Sequence, residues 1–135
     1  MNQPGLSGFH HVTVNVHDIE RSEQWYSQVF GFTRITAYAT DSFQRVIMRH
    51  PQSGAVLGLN HHAAPVAAEP FDERRPGLDH LALQVPDRGT LDAWAARFDE
   101  LSVTHSPVKP GALPGSFLIA FRDPDNIQLE VFAAP

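Results

Sequence analysis

Residues 10–32 read HHVTVNVHDIERSEQWYSQVFGF, and residues 78–94 read LDHLALQVPDRGTLDAW. From Phe9 to His17 apolar and polar residues alternate with a period of two, the pattern of a half-buried strand. Asp18 then stands where a helix N-cap is wanted, with Glu20 in the first turn. Ile19, Trp25, Tyr26, Val29 and Phe30 form an apolar stripe at helical spacing, and Gly31 is placed to end the helix. The same signals return 69 positions later: His11 recurs as His80, Asp18 as Asp87 and Trp25 as Trp94. Each copy therefore predicts a strand, an acidic turn and an amphipathic helix. Two units of this length are too few and too long for a solenoid, and fit a duplicated module better.

Working outward, Thr33 to Thr40, Phe43 to His50 and Ala55 to Asn60 read as strands, separated by turns at Asp41-Ser42 and Pro51-Gln52-Ser53-Gly54. After the second helix, strands are predicted at Val103 to Ser106, Phe117 to Phe121 and Ile127 to Phe132. The expected order is βαβββ-βαβββ, an α+β fold in a single domain over residues 1–135. Module one occupies about 8–61, a linker about 61–77, and module two about 78–133. The stretch KPGALPG (109–115), broken by prolines, does not resemble a phosphate loop and reads as a mobile loop between strands.

Composition narrows the function. The 135 residues are 42% apolar and 19% charged, as expected of a globular chain. With no cysteine, any metal must be held by nitrogen and oxygen. The formal charge is -5 and no basic block is present, so nucleic acid is not an expected partner. No apolar run is long enough for a membrane span, and the N-terminal sequence lacks the pattern of a secretory leader; cytoplasm is the expected compartment. GxSxG is absent, and no histidine–acid motif marks Ser22 or Ser116 as a nucleophile.

Strand parity sorts the polar residues. In the first strand Val12, Val14 and Val16 oppose His11, Thr13 and Asn15. In the fifth, Leu81, Leu83 and Val85 oppose His80, Ala82 and Gln84. In the last, Ile127, Leu129 and Val131 oppose Gln128, Glu130 and Phe132. Each strand has an apolar face suited to a covering helix. His11, His80 and Glu130 fall on the opposite faces. Each of the three alone is equally a hydrogen-bonded or solvent-facing residue. Were those faces to converge, two imidazoles and a carboxylate around a cation would remove the cost of an unpaired charge.

These motifs, with FRDPDNIQLEVF at 121–132, resemble the vicinal-oxygen-chelate superfamily of glyoxalase I, extradiol dioxygenases, fosfomycin-resistance transferases, methylmalonyl-CoA epimerase and bleomycin-resistance proteins. The resemblance spans about Phe9 to Phe132. It implies two βαβββ modules whose sheets curl around a shared, metal-centred cavity. It also implies one divalent ion (Fe, Mn, Zn, Ni or Co) on His11, His80 and Glu130, with Glu130 also catalytic. The expected activity is metal-dependent chemistry on a small substrate with vicinal oxygens, either lyase or isomerase chemistry or extradiol ring cleavage, the ion stabilising an oxyanion or enediolate. The alternative is a metal-free small-molecule binding protein like the bleomycin-resistance proteins. A homodimer is expected, its site within one chain or shared between two.

The fourth ligand position of glyoxalase I and the epimerase falls on Gly58 in AVLGLN (55–60), which departs from those two patterns. Asn60 and His62 share its parity and are candidate substitutes or substrate contacts. Thr13 and Asn15 either orient ligands and substrate or fill a wet strand face. Arg122, before the DPD turn, is a candidate substrate clamp or a surface residue. Arg74 and Arg75 in the linker form either a lid or a solvated charged loop.

Overall fold

The computed structural model describes residues 3–66 and 69–135. Within it the chain divides into two compact units, Met1–Ala67 and Ala68–Pro135. In the first, β1 (Val12–Asn15) and α1 (Ile19–Phe30) are followed by β2 (Thr33–Ala39), β3 (Phe43–Arg49) and β4 (Val56–His62). The sheet order is β1-β4-β3-β2, with β1 parallel to β4 and the other pairs antiparallel. In the second unit, β5 (Leu81–Val85) and α2 (Arg88–Glu100) precede β6 (Lys109–Pro110), β7 (Phe117–Arg122) and β8 (Gln128–Ala133). Its order β5-β8-β7-β6 repeats the first, including the parallel outer pair. This is the expected α+β arrangement of two βαβββ modules.

The helix boundaries follow from local chemistry. The Asp18 carboxylate accepts the Arg21 N–H at 3.0 Å, satisfying one of the donors that an α-helix leaves open at its start. Gly31 closes α1 in the left-handed region at φ 84°, its N–H donating to Ser27 O. Asp87 caps α2 through both the N–H and the hydroxyl of Thr90, at 2.8 Å each. Those hydrogen bonds, the hydroxyl's first, hold its carboxyl below the usual aspartate range.

Each helix covers one face of its own sheet. In the first unit Tyr26, Val29 and Phe30 are buried with Val14 and Val16 of β1 and its continuation, Val46 and Met48 of β3, and Leu57 and Leu59 of β4. In the second, Leu91 and Phe98 are buried with Val85, Ile119, Phe121, Leu129 and Val131. Burying such side chains contributes about 1.5–3 kcal/mol each, so these two clusters dominate the stabilisation of their units.

Two elements differ from expectation. Strand β1 is shorter than Phe9 to His17 because its ladder with β4 spans only Val12–Asn15, although the Val16 N–H still reaches Asn60 O at 2.8 Å. The strand expected at Val103 to Ser106 is reduced to one bridge, His105 to Phe121, and β6 lies instead inside the stretch read as a loop. The ladder breaks because Pro107 has no N–H to give and Ser106 Oγ takes up the Ala120 N–H at 2.9 Å.

The turn between β7 and β8 is built by Asp123, buried with 6% of its surface exposed, whose Oδ1 accepts the N–H groups of Asp125 and Ile127 at 2.9 Å each. Asn126 sits at φ 66°, where a short polar side chain is tolerated. Asp123→Ala leaves two backbone donors without their acceptor. It is expected to lower stability by about 1–3 kcal/mol in urea denaturation; an unchanged midpoint would refute this account of the turn.

His105 joins the end of α2 to the β7 side: its Nε2 lies 2.9 Å from Asp99 Oδ1 and its Nδ1 2.6 Å from Ser106 O. The Asp99 hydrogen bond raises its pKa above the ordinary histidine value, against the opposing effect of burial. A raised folded pKa adds stability that is fully present below the unfolded value of about 6.5 and lost as pH rises through the folded one. Thermal melts of His105→Gln should therefore fall below wild type at pH 5.5, with the gap narrowing by pH 8.5. A gap independent of pH contradicts the assignment.

Candidate functional site

On the uncovered face of the second sheet, Glu130 stands between two small residues, Ala82 of β5 and Ala120 of β7, its partners in the ladders on either side. The alanines leave room above the carboxylate, whose side chain is 13% exposed. His80, immediately before β5, brings its Nε2 to 3.7 Å from Glu130 Oε2. Its Nδ1 lies 2.6 Å from Asp79 Oδ1. A carboxylate on Nδ1 favours the tautomer with the proton there, turning the Nε2 lone pair toward Glu130. Two metal bonds of about 2.1 Å each span at most about 4.2 Å, so atoms 3.7 Å apart can share one ion. The chemistry of the pair, an imidazole nitrogen beside a carboxylate oxygen, fits a divalent cation.

In the first unit His11 directly precedes β1, and Thr13 and Asn15 follow it on the same exposed face. Its Nδ1 lies 2.8 Å from His10 Nδ1, so here too the preceding residue engages Nδ1 and Nε2 is the nitrogen left available. Among the described residues, no group of three or more His, Asp or Glu is gathered as a ligand set within either unit. His11 belongs to the first unit, and the His80–Glu130 pair to the second.

Gly58 stands where a fourth ligand would be expected, and the packing shows what occupies that space. Gly58 pairs with Thr13 across the β1–β4 ladder, and a Cβ on it would lie 2.5 Å from Thr13 Oγ1 and 3.1 Å from Thr13 Cβ. The threonine side chain fills the volume that any side chain at position 58 would need. Asn60, 1% exposed, holds His62 through Nδ2 and Nε2 at 2.9 Å. Its Oδ1 accepts from Arg45 Nε at 3.0 Å.

Arg122 is engaged within its own unit: it pairs with both Glu73 oxygens at 2.8 and 2.9 Å and donates to Asn126 O and Gln128 Oε1. The guanidinium holds the Glu73 carboxyl down at about 2. Arg74 pairs with Asp72 and Arg75 with Glu69, so these linker arginines carry their own counter-charges. Asp79 and Arg45 were not among the residues singled out from the sequence. Asp79 had a signal in its adjacency to His80; Arg45 is set beside Asn60 only by the β3–β4 register.

A sequence model of the glyoxalase/bleomycin resistance protein/dioxygenase superfamily matches residues 8–131, and the chain belongs to that superfamily. The crystal structure of a glyoxylase/bleomycin resistance protein/dioxygenase domain from Frankia sp. EAN1pec aligns with a TM-score of 0.86 and 31% identity, over 97% of this chain and 100% of that one. The YwkD protein of Bacillus subtilis (strain 168) is 28% identical over 131 residues, 94% of this chain and 97% of that one. FosX, the genomically encoded fosfomycin resistance protein of Listeria monocytogenes, solved with Mn(II) and sulfate, shares the fold. Its TM-score is 0.71 at 19% identity, over 97% of this chain and 95% of that one. No helix among the described residues is long and apolar enough to cross a membrane.

The close approach at Gly58 yields a stability test. Gly58→Ala forces its new Cβ against Thr13 and should cost about 1–3 kcal/mol in chemical denaturation. Combining it with Thr13→Ala removes Oγ1 and should recover part of that cost, a non-additive result expected of touching residues. Full additivity contradicts the contact.

Proposed function

We propose that the chain is a metal-dependent enzyme acting on a small substrate with vicinal oxygens, and that His11, His80 and Glu130 hold its divalent ion. The observation that carries the reading is the pairing of His80 Nε2 with Glu130 Oε2 at 3.7 Å, with Asp79 behind the imidazole. His11 would complete the set from the first unit of the same chain or of a second copy in a homodimer.

Bound there, a divalent ion supplies Lewis-acid stabilisation of the oxyanion or enediolate that develops on such a substrate. The residues of the chain do the rest. Asp79 holds the proton on His80 Nδ1 and keeps Nε2 free as a ligand. Glu130, flanked by Ala82 and Ala120, offers two carboxylate oxygens, one for the ion and one for a substrate proton. Thr13 and Asn15, on the same strand face as His11, orient substrate oxygens, and Asn60 and His62 line the neighbouring strand. Lyase, isomerase and ring-cleaving chemistries all begin from this placement of two oxygens, and the fold does not choose among them.

Protein purified without added metal is expected to carry a divalent ion by elemental analysis and native mass spectrometry, and to lose it in His80→Ala and Glu130→Ala. Asp79→Asn should keep the ligands but weaken affinity about 10- to 100-fold. Unchanged metal content in both alanine variants sinks the proposal. A chain that takes up no divalent ion at all would instead be a metal-free binding protein.

A further inference from the structure

We propose that Arg45 anchors a carboxylate of the substrate, so that the molecule taken by this chain is a small organic acid with a flat or apolar body. The proposal deepens the reading above and rests on its assumption that the uncovered face of the first sheet receives the substrate. One row of that face crosses all four strands: Tyr38 pairs with Arg45, Arg45 with Asn60, and Asn60 with Asn15. Arg45 lies half-buried in this row, two strands from Asn15.

Its guanidinium is positioned, yet its charge is not matched. Nε donates to Asn60 Oδ1 at 3.0 Å and Nη1 to the Tyr38 hydroxyl at 2.9 Å, both neutral acceptors. Asn60 is itself 1% exposed, so the group that aims the arginine is part of the interior. The guanidinium carbon stands 4.6 Å from the centre of the Phe43 ring, which supports the cation on one side. Five other arginines do carry a counter-charge: Arg34 pairs with Glu23, Arg74 with Asp72, Arg75 with Glu69, Arg88 with Asp92 and Arg122 with Glu73. Among the described residues, no carboxylate closes on Arg45.

An arginine has five N–H donors, and two are spent on orientation. Nη2 and the remaining Nη1 hydrogen form a planar edge that matches the two oxygens of a carboxylate. Phe43 and Ile47 flank Arg45 along β3 on the same face, offering apolar surface to the body that carries the acid. A positive group held rigid by neutral partners beside apolar side chains is the arrangement expected of an anion site awaiting its ligand. A structural ion pair would have carried its counter-charge within the fold.

The test uses the full chain stripped of metal with EDTA, titrated with benzoate, its neutral analogue benzamide, and inorganic phosphate. Binding is followed by calorimetry and by the NMR signal of the Arg45 Nε–H. Benzoate is expected to shift that signal saturably in the unaltered chain, and benzamide to leave it in place. Arg45→Gln should weaken benzoate about 10- to 100-fold, the size of a lost charge-assisted pair. Arg45→Lys should fall between the two. The signal in the unaltered chain keeps the proposal testable even where a variant folds poorly. Phosphate binding more tightly than benzoate overturns the carboxylate assignment. So does benzoate that binds only after metal is restored and binds Arg45→Gln equally well, a result that leaves the metal reading intact. Conversely, a chain that takes up no metal still reports on Arg45 here, because the assay contains none.

Discussion

Each sheet in this protein has four strands and one helix, and one helix can cover only one face of a sheet. Strand side chains alternate strictly, so hiding Val46, Met48, Leu57 and Leu59 beneath α1 puts Arg45, Gly58 and Asn60 on the other side. The second unit obeys the same rule: Leu129 and Val131 go under α2, and Glu130 rises between them on the opposite face. The chemistry proposed for the chain sits where the helices are not. A register slip of one residue would bury the glutamate and expose its leucine neighbour, which is why the hydrophobic pattern protects the site as well as the core.

The uncovered faces are shaped by small residues as much as by polar ones. Alanines flank Glu130 on both neighbouring strands, and Gly58 yields its space to Thr13. A larger residue at any of these positions would close the ground over the polar groups. The tight turn organised by Asp123 sets where β8 begins, and with it which residues of 127–133 face the helix. Linker residues are tied to that turn, since the Phe71 N–H donates to Asp125 O and the Asn126 side-chain Nδ2 donates to Phe71 O. Arg122 closes the same corner through Glu73.

Both candidate histidine ligands are presented in the same way, Nδ1 engaged by the preceding residue and Nε2 left available. The partners differ, however: a second histidine at His11, a carboxylate at His80. The two modules are therefore alike in backbone and unlike in the group that holds each imidazole, and membership of the glyoxalase/bleomycin resistance protein/dioxygenase superfamily leaves that difference open.

Much of this was legible in the chain as written. The alternation in HVTVN and LALQV, the caps at Asp18 and Asp87 and the repeat at 69 residues determined the module order, because these are local signals of period and turn chemistry. The second strand of the second module was misplaced, since its pairing depends on Ser106 and Pro107 competing with the ladder and not on propensity. Only the tertiary structure decided that Glu130 meets His80, that Thr13 fills the place of a side chain at Gly58, and that Arg45 lies beside Asn60. These are contacts made across the sheets, between residues 15 or more positions apart. Their register is chosen by the burial of whole faces, a property that no single stretch of residues carries.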